Sequence, residues 1–425
     1  MLLGHALRGN TRRSSNHLFD NILPPTRRFL FRSAVIRDMR SPPETSELDT
    51  PSRILMGPGP SMIDPRVLRA MSTQALGYMD PSFLEIMDDI QELLRYTFQT
   101  DNEWTLATSG TGTAAMETAI GNIVEPGDTM LVPTNGYFGN RMGKLAKRAG
   151  GDVVTVDAPW GEPLDPADVA DAFDEHQPDV FGFIHAETST GVCQPDVPEL
   201  TDIAHEHDAI TIADCVTSLS GVELRIDDWG IDAAYGSPQK CLSCTPGATP
   251  LTIGERARQK IENRDTDTGS WYLDLDLVME YWGDERNYHH TAPTTNFYGL
   301  REALRLVAEE GLENRWERHL EVAGELRSGL QELGLEPAAE KEYWLPSLNS
   351  IEVPDGVDDT AVIDYLMDEY DIEIASGLGA LEGDIWRIGC MGYSARRQNV
   401  ACLLTAMEDA LEAQDFDVEE AAIEA

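Results

Sequence analysis

The sequence predicts an α/β protein in which a mostly parallel β-sheet carries helices on both faces and a smaller C-terminal α/β domain follows. From Trp104 to Lys240, strand-length apolar runs alternate with helical patterns, which is typical of strands joined by crossover helices. The chain has 425 residues, 41% of them hydrophobic, which is enough for a large core and too long for one small domain. After about Gly311 the pattern changes, so we expect a second domain there.

The predicted sheet is built from six apolar runs, and helical patterns follow four of them. The runs, in chain order, are EWTLATSG, TMLVP, DVVTVDA, VFGFIHA, AITIADCV and DAAYGS. The helical patterns are GTAAMETAIGNIV, YFGNRMGKLAKRAG, PADVADAFDEH and PELTDIAHEHD. In sheets of this kind, sites lie at the carboxyl ends of the strands.

The last third of the chain predicts a long amphipathic helix followed by the segments SLNSIEVP, DDTAVIDYLMDEY, DIEIASG and DIWRIG and a final helix. We therefore predict a large domain over residues 51–300, with an N-terminal arm at 51–75, and a small domain over 301–415. Residues 1–50 are expected to be a disordered extension. Residues 416–425 are expected to be a frayed acidic tail.

The net charge of the chain is −43, and it is unevenly distributed. Residues 1–38 carry a net charge of +5, whereas the remaining residues carry −48. Such a body repels polyanions, which argues against nucleic-acid binding, and no apolar run is long enough to span a membrane. Only five of the 32 basic residues are lysines. Because high salt shortens the screening length, this composition predicts a halophilic protein of a salt-rich cytoplasm.

The first 38 residues are rich in Arg and nearly free of acidic residues, which is typical of an organellar transit peptide. They precede a body that suits a salt-rich prokaryotic cytoplasm, and from Met39 onward the sequence matches the acidity of that body. We therefore favour a start codon placed too early over a working targeting signal.

The six cysteines form no secreted disulfide framework, which suits a reducing compartment. Cys241 and Cys244 form a CxxC pattern, which could indicate metal binding or redox chemistry. A zinc site would need a second ligand pair, and His289 and His290 are adjacent rather than spaced for chelation. We expect no metal site.

Three candidate groups follow predicted strands. Residues 108–117, TSGTGTAAME, form a glycine-rich turn before a helix, where backbone N–H groups can bind an anion or where the glycines only make a turn. Asp214 could cap a turn or face a cationic ring nitrogen. Lys240 could be a surface charge or a nucleophile, because an ammonium group can lose its proton and a guanidinium cannot.

An anion-binding turn, a buried carboxylate and a lysine at the ends of strands are the three groups that pyridoxal 5′-phosphate requires. The segments SGTGTAAMETAI, NGYFGNR, HAETSTGVCQP, IADCVTSLSG, GSPQKCLS, YHHTAP and WRIG occur in the order and approximate spacing of class V aminotransferases. Over residues 53–411 the chain resembles the alanine:glyoxylate and serine:pyruvate aminotransferase branch of that family. The resemblance implies the aspartate-aminotransferase-like fold, which is pyridoxal-phosphate fold type I.

The resemblance also implies a role for individual residues. Lys240 corresponds to the Schiff-base lysine, Asp214 to the partner of the pyridinium nitrogen, and Arg387 to the arginine that holds the substrate's α-carboxylate. Tyr288 and Thr291 match residues that reach the phosphate of the partner subunit, which implies a homodimer with shared sites. The other residues implied at the cofactor are Thr111, Gly112, Thr113, Phe138, Thr188, Val216 and Gln239, and those on the substrate side are Gly59 and Tyr78.

The resemblance implies transfer of an amino group from alanine or serine to glyoxylate or pyruvate. Two positions depart from the family, because many members have Trp at Phe138 and His at Tyr78. The departure at Tyr78 leaves the amino donor open, so an aspartate, ureidoglycine or phosphonate-linked substrate is the alternative. A lyase, a cysteine desulfurase or an inactive scaffold are further alternatives. A desulfurase needs a mobile cysteine, whereas Cys390 lies in a strand-like run.

Overall fold

The computed structural model of the protein describes residues 40–418. The predicted N-terminal extension lies outside the described residues as far as residue 39, and residues 40–50 are exposed and without regular secondary structure. From Ser52 onward the chain forms one compact unit. None of the helices described is both long and apolar enough to span a bilayer.

The part of the chain that the structure describes contains twelve α-helices and fourteen β-strands. The helices are α1 (Pro65–Met71), α2 (Pro81–Phe98), α3 (Gly112–Ile123), α4 (Tyr137–Ala149), α5 (Pro166–His176), α6 (Val197–Glu206), α7 (Glu255–Glu262), α8 (Leu275–Trp282), α9 (Thr294–Glu310), α10 (Leu312–Glu332), α11 (Asp359–Tyr370) and α12 (Arg397–Glu412). The strands are β1 (Ile54–Leu55), β2 (Trp104–Gly110), β3 (Thr129–Pro133), β4 (Asp152–Val156), β5 (Val180–Ile184), β6 (Ala186–Glu187), β7 (Val192–Cys193), β8 (Ile210–Asp214), β9 (Ala233–Tyr235), β10 (Gly247–Ile253), β11 (Leu348–Glu352), β12 (Ile372–Glu373), β13 (Ala375–Ser376) and β14 (Ile385–Gly389).

The central sheet has seven strands in the order β2-β10-β9-β8-β5-β3-β4. Its pairs β3/β4, β3/β5, β5/β8 and β8/β9 are parallel, as predicted, and all six predicted strands are present. Strand β10, which the sequence did not predict, is antiparallel to both β2 and β9. Since β10 runs against both neighbours, β2 points the same way as the parallel strands. The ends of β2, β5, β8 and β9 therefore lie along one edge of the sheet.

The helices begin in two different ways. An Asp-Pro pair begins α1, α2 and α5, because the side chains of Asp64, Asp80 and Asp165 each accept a backbone N–H of the first turn and proline suits the first helical position. Helices α3 and α4 follow Thr111 and Gly136, and neither of these residues makes a capping hydrogen bond through its own side chain. The N-terminal N–H groups of α3 and α4 are thus available to partners from elsewhere.

A second, antiparallel sheet has the order β11-β14-β13 and carries Arg387 on its central strand β14. The N-terminal arm joins this region, because β1 pairs in parallel with β12. Arg53 donates to the carbonyl of Met367 at 2.6 Å, and the N–H of Gly389 donates to the carbonyl of Met56 at 2.6 Å. The arm is therefore held by residues from the far end of the chain.

Two large hydrophobic clusters fill the interior. The first packs the helices on both faces of the seven-stranded sheet, and the second lies between the three-stranded sheet and helices α10, α11 and α12. The predicted boundary between residues 300 and 301 falls inside α9, whose buried face belongs to the first cluster. The division into two domains stays a prediction. Of the predicted tail, Phe416 and Val418 pack against the second cluster, and residues 419–425 lie outside the described residues.

Candidate active site

A cavity of about 200 Å³ lies at the edge of the central sheet where β2, β5, β8 and β9 end. Nine of the residues predicted at the site line it: Thr111, Gly112, Thr113, Phe138, Thr188, Asp214, Val216, Gln239 and Lys240. These residues come from five separate segments of the chain. The sheet brings them together because each segment follows one of its strands.

One end of the cavity is formed by the start of α3. This helix has no acidic residue in its first turn and no side-chain cap, so its N-terminal N–H groups can bind an anion. Gly112 packs so closely against Ser237 that a Cβ atom would lie 2.9 Å from the serine Oγ. Ser237 in turn donates to the Oε1 of Gln239 at 2.5 Å. This end has the hydrogen-bond donors and the dipole that a phosphate group requires.

Asp214 lies at the end of β8 and is buried. Its Oδ1 accepts the N–H of Val216 at 2.9 Å, and its Oδ2 accepts the hydroxyl of Tyr235 at 3.0 Å. Burial raises the pKa of Asp214 to about 6, and these two hydrogen bonds oppose that rise. A buried carboxylate of this kind is stabilised by a cation, which is the property expected of a partner for a protonated ring nitrogen.

Lys240 contacts the cavity and the N-terminal arm. Its Nζ donates to the carbonyl of Pro58, and a Cβ atom on Gly59 would lie 2.8 Å from the lysine Cδ. Gly59 has φ +113°, so both the backbone conformation and the contact with Lys240 require glycine. The pKa of Lys240 is lowered to about 8, mainly by burial and also by the charge of Arg387, while Cys241, Asp214 and Glu187 act in the opposite direction.

Arg387 is buried on β14, and its Nε donates to the carbonyl of Ser376 at 2.9 Å. Burial lowers the pKa of Arg387, and Glu187 opposes that effect. Among residues 40–418 it has no ion-pair partner. Its guanidinium therefore keeps donors for an anion close enough to Lys240 to affect the pKa of that amine.

Thr188 and Phe138 complete the predicted cofactor contacts. The Thr188 hydroxyl is buried and hydrogen-bonds to that of Thr217. The Phe138 ring lines the cavity, and its backbone N–H donates to the Oε2 of Glu187 at 3.3 Å. The position of Phe138 thus depends on the carboxylate of Glu187 on strand β6.

Besides Gly59 and Arg387, three further predicted residues do not line the cavity. Tyr78 and Tyr288 contact each other with ring centroids 5.2 Å apart, and the Tyr288 hydroxyl lies 3.3 Å from that of Thr291. Tyr288 is 55% exposed, so its ring is available to another molecule. These three residues form a separate cluster within this chain.

The sequence did not predict Glu187, which is buried beside the site. Its Oε1 accepts the N–H and the hydroxyl of Ser189 at 2.9 and 2.6 Å, and burial raises the pKa of Glu187 to about 7. Gly136 allows this packing, since a Cβ atom there would lie 2.4 Å from the glutamate Cδ. A carboxylate just after β5, in the segment HAETSTG, is the same signal that indicated Asp214, so the sequence could have pointed to Glu187.

Tyr235, Ser237 and Arg141 were also not predicted. Tyr235 and Ser237 lie within the predicted strand DAAYGS, just before Lys240, so their positions could have been inferred. Arg141 lies within a helix and carries no such signal.

The cysteines of the CxxC pattern, Cys241 and Cys244, are both free and buried. Burial raises the pKa of Cys241 to about 11 and that of Cys244 to about 12. Cys390 is buried too, and its pKa is raised to about 12. Thiols in this state are poor nucleophiles. Within residues 40–418, no three His, Cys, Asp or Glu side chains are grouped so that they could hold a metal ion.

Residues 54–385 match the family described as Aminotransferase class-V. The chain belongs to this family. It is 40% identical to the (S)-ureidoglycine–glyoxylate transaminase of Bacillus subtilis over 383 residues, which are 86% of this chain and 92% of the relative. It is also 40% identical to the alanine–glyoxylate aminotransferase of Drosophila melanogaster, over 87% of this chain and 95% of the relative.

Solved structures of the family show the same fold. The alanine–glyoxylate aminotransferase of a Nostoc species superposes with a TM-score of 0.86 at 48% identity, covering 87% of this chain and 97% of that one. The predicted fold, pyridoxal-phosphate fold type I, is thereby confirmed. The predicted enzyme class, a pyridoxal-phosphate-dependent aminotransferase, is confirmed as well.

Proposed function

We propose that this enzyme binds pyridoxal 5′-phosphate in the cavity and transfers an amino group from alanine or serine to glyoxylate or pyruvate. The observation that carries the proposal is Lys240, an amine with a lowered pKa in a cavity that also holds Asp214 and the start of α3. The relatives named for glyoxylate support the choice of acceptor.

The residues present suit this cofactor. Gly112, Thr113 and Gln239 would hold the phosphate at the start of α3, where the helix dipole and free N–H groups favour an anion. Asp214 would hold the protonated ring nitrogen. Thr188 would contact the ring hydroxyl, and Phe138 would lie against the ring. When bound, pyridoxal phosphate supplies an electron sink for cleavage of the substrate's Cα–H bond.

Lys240 moves the proton in this proposal. At pH 7 an amine with a pKa of about 8 is neutral in roughly one molecule in ten, whereas one with an ordinary pKa of about 10.4 is neutral in roughly one in a few thousand. The neutral Nζ would move the proton between the substrate's α-carbon and the C4′ atom of the bound cofactor. Burial of Lys240 therefore increases the population of the reactive form.

Arg387 would bind the α-carboxylate of the substrate. A guanidinium group offers parallel N–H donors that match a carboxylate, and the Nε bond to Ser376 fixes the orientation of the group. A fixed carboxylate sets the direction of the Cα–H bond relative to Lys240. The substrate is then held in a reactive orientation rather than merely bound.

We also infer a homodimer with shared sites. Tyr78, Tyr288 and Thr291 lie outside the cavity of their own chain, and the exposed Tyr288 ring supports their use by a second copy. Sedimentation measurements should give twice the mass of the chain. Apoprotein mixtures of Lys240→Ala and Thr291→Ala variants would then regain one intact site, whereas a monomer would gain nothing on mixing.

We also propose that the protein works in a cytoplasm rich in salt. Its net charge of −43 supports this, because repulsion between like charges destabilises the folded chain when salt does not screen it. We expect the midpoint of thermal unfolding to rise with KCl concentration. An unfolding midpoint that is the same in dilute buffer and at high KCl concentration would contradict this part of the proposal.

A panel of amino donors tests the function. Alanine, serine, aspartate and (S)-ureidoglycine would be offered at high salt with glyoxylate or pyruvate, and the new amino acid would be quantified. We expect the highest kcat/KM for alanine or serine with glyoxylate. The 40% identity to a ureidoglycine–glyoxylate transaminase makes ureidoglycine the second candidate donor. Activity with none of the four donors would overturn the proposal.

A further inference from the structure

Arg141 on helix α4 is a cation in the wall of the cavity. Its side chain is half-buried, and its Nη1 donates to the hydroxyl of Thr113 at 3.3 Å. Its Cζ lies 5.0 Å from the centre of the Phe138 ring and 5.2 Å from that of Tyr137. The two rings and Thr113 thus hold the guanidinium beside the start of α3.

Arg141 forms no ion pair within the described chain. Arg305 and Arg315, for example, bind carboxylates at 2.6 to 2.8 Å, whereas Arg141 has no ion-pair partner among residues 40–418. In a chain with a net charge of −43, a half-buried cation that makes no ion pair with Asp214, the only carboxylate among the described residues that line its cavity, is best explained by an anionic ligand.

The surroundings of Arg141 indicate which anion this is. Thr113 belongs to the first turn of α3, whose N–H groups have no side-chain cap, and the other polar residues at this end, Ser237 and Gln239, are neutral. A phosphate monoester carries between one and two negative charges near neutral pH. Neutral donors and a helix dipole balance only part of that charge, so a phosphate bound here needs a cation.

We propose that Arg141 is the phosphate-binding cation of this site and that it acts together with the N–H groups of Gly112 and Thr113. This inference rests on the proposed function, since it assigns the phosphate of the proposed cofactor to this end of the cavity. It separates the tasks of the two unpaired arginines near the site: Arg141 binds the phosphate, and Arg387 binds the substrate's carboxylate.

The test compares two ligands that differ only in the phosphate. Dissociation constants of pyridoxal phosphate and of pyridoxal would be measured by fluorescence for the apoprotein and for the Arg141→Gln, Arg141→Lys and Arg148→Gln variants, at one fixed salt concentration. Arg148 is the matched control, because it lies two turns further along α4, is exposed and has no ion-pair partner among the described residues either. Circular dichroism would confirm that each variant is folded.

We expect Arg141→Gln to raise the dissociation constant of pyridoxal phosphate at least tenfold and to leave that of pyridoxal unchanged. Arg141→Lys should regain most of the loss, because it keeps the charge, and Arg148→Gln should change neither constant. Should Arg141→Gln fail to fold, the dissociation constants of pyridoxal phosphate and pyridoxal would be compared for Arg141→Lys and Arg141→Met instead. A loss confined to pyridoxal phosphate in Arg141→Met would support the inference.

Three results would overturn the inference. Equal weakening of both ligands would mean that Arg141 only supports the Phe138 ring. Unchanged binding of both would mean that it does not contact the phosphate. An increased KM for amino donors with unchanged cofactor binding would make it a substrate ligand. By contrast, an unaltered apoprotein that binds neither ligand would defeat the proposed function itself.

Discussion

The two halves of the candidate site are built in different ways. The inner half, which includes the start of α3, Asp214 and Lys240, comes from segments that each directly follow a strand of one sheet. The outer half comes from distant parts of the chain: the arm with Gly59, the strand with Arg387, and the cluster around Tyr288.

The difference shows what a parallel sheet contributes to a site. Because all its parallel strands end at one edge, the topology of the sheet alone makes neighbours of short motifs that are far apart in sequence. The outer half has no such device. It depends on long-range pairing, as between β1 and β12, and we propose that it also depends on a second copy of the chain.

Replacing Lys240 should have the largest effect and tests whether the inner half carries the chemistry. We expect Lys240→Ala to reduce turnover at least about a thousandfold, because general acid–base catalysis by a placed group contributes roughly 10²- to 10⁴-fold. Borohydride should no longer fix the cofactor to the protein, as judged by mass spectrometry of peptides. Lys144→Ala, a change of an exposed lysine on α4, is the control. Reduced cofactor found on Lys144 or Lys260 would contradict the assignment.

Gly136→Ala tests the packing that joins α4 to the inner half. A Cβ atom at this position would lie 2.4 Å from the Cδ of Glu187, although φ of −174° itself suits any residue. We expect the free energy of unfolding, measured with urea, to fall by about 1 to 3 kcal/mol, as is usual for overpacking. Gly121→Ala on α3, where nothing lies within 4 Å of the new atom, should leave stability unchanged or raise it. Similar losses in both variants would show that Glu187 does not restrict Gly136.

Arg387→Lys tests whether the outer half of the site binds the substrate's carboxylate. A lysine keeps the charge and loses the parallel donors, so kcat/KM should fall at least tenfold for every α-amino acid, given about 1.5 to 3 kcal/mol for a hydrogen bond to a charged group. An amine without a carboxylate should be affected little. Arg397→Lys, a change of an arginine that is 66% exposed in its side chain, is the control. Equal losses for the amino acid and the amine would make Arg387 a structural residue.

Glu187→Gln should have the smallest effect. We expect it to change how the free energy of unfolding depends on pH. The pKa of this carboxyl is raised from 4.5 to about 7 in the folded chain, so the folded state binds more protons than the unfolded state between these values. Its contribution to stability is therefore present at low pH and is lost as the pH rises through about 7. The unaltered apoprotein should lose at least about 1 kcal/mol relative to Glu187→Gln between pH 5 and pH 8, since one pKa unit corresponds to about 1.4 kcal/mol. A difference between the two proteins that does not change with pH would show that Glu187 is ionised throughout.

The two halves also differ in how far sequence alone predicts them. Each inner residue follows an apolar run, so the position of Asp214 or Lys240 at the edge of the sheet could be inferred from local pattern and turn. Strand β10 was not predicted, because GATPLTI contains a proline and follows a turn, and only its pairing with β2 and β9 makes it a strand. Arg141 looks like any helical surface arginine until the neighbouring turn is placed beside it.

The pairing of the arm has a consequence for synthesis of the chain. Arg53 is translated early, but the carbonyl that it binds, that of Met367, comes 314 residues later, and the partner of Met56 comes later still, at Gly389. When Lys240 has left the ribosome, the arm that will lie against its amine can bond to Gln239 and Lys240 through Ser61, but it still lacks its partners from the end of the chain. We therefore expect the Lys240 side chain of a nascent chain to remain open to solvent until the last strand, β14, has docked.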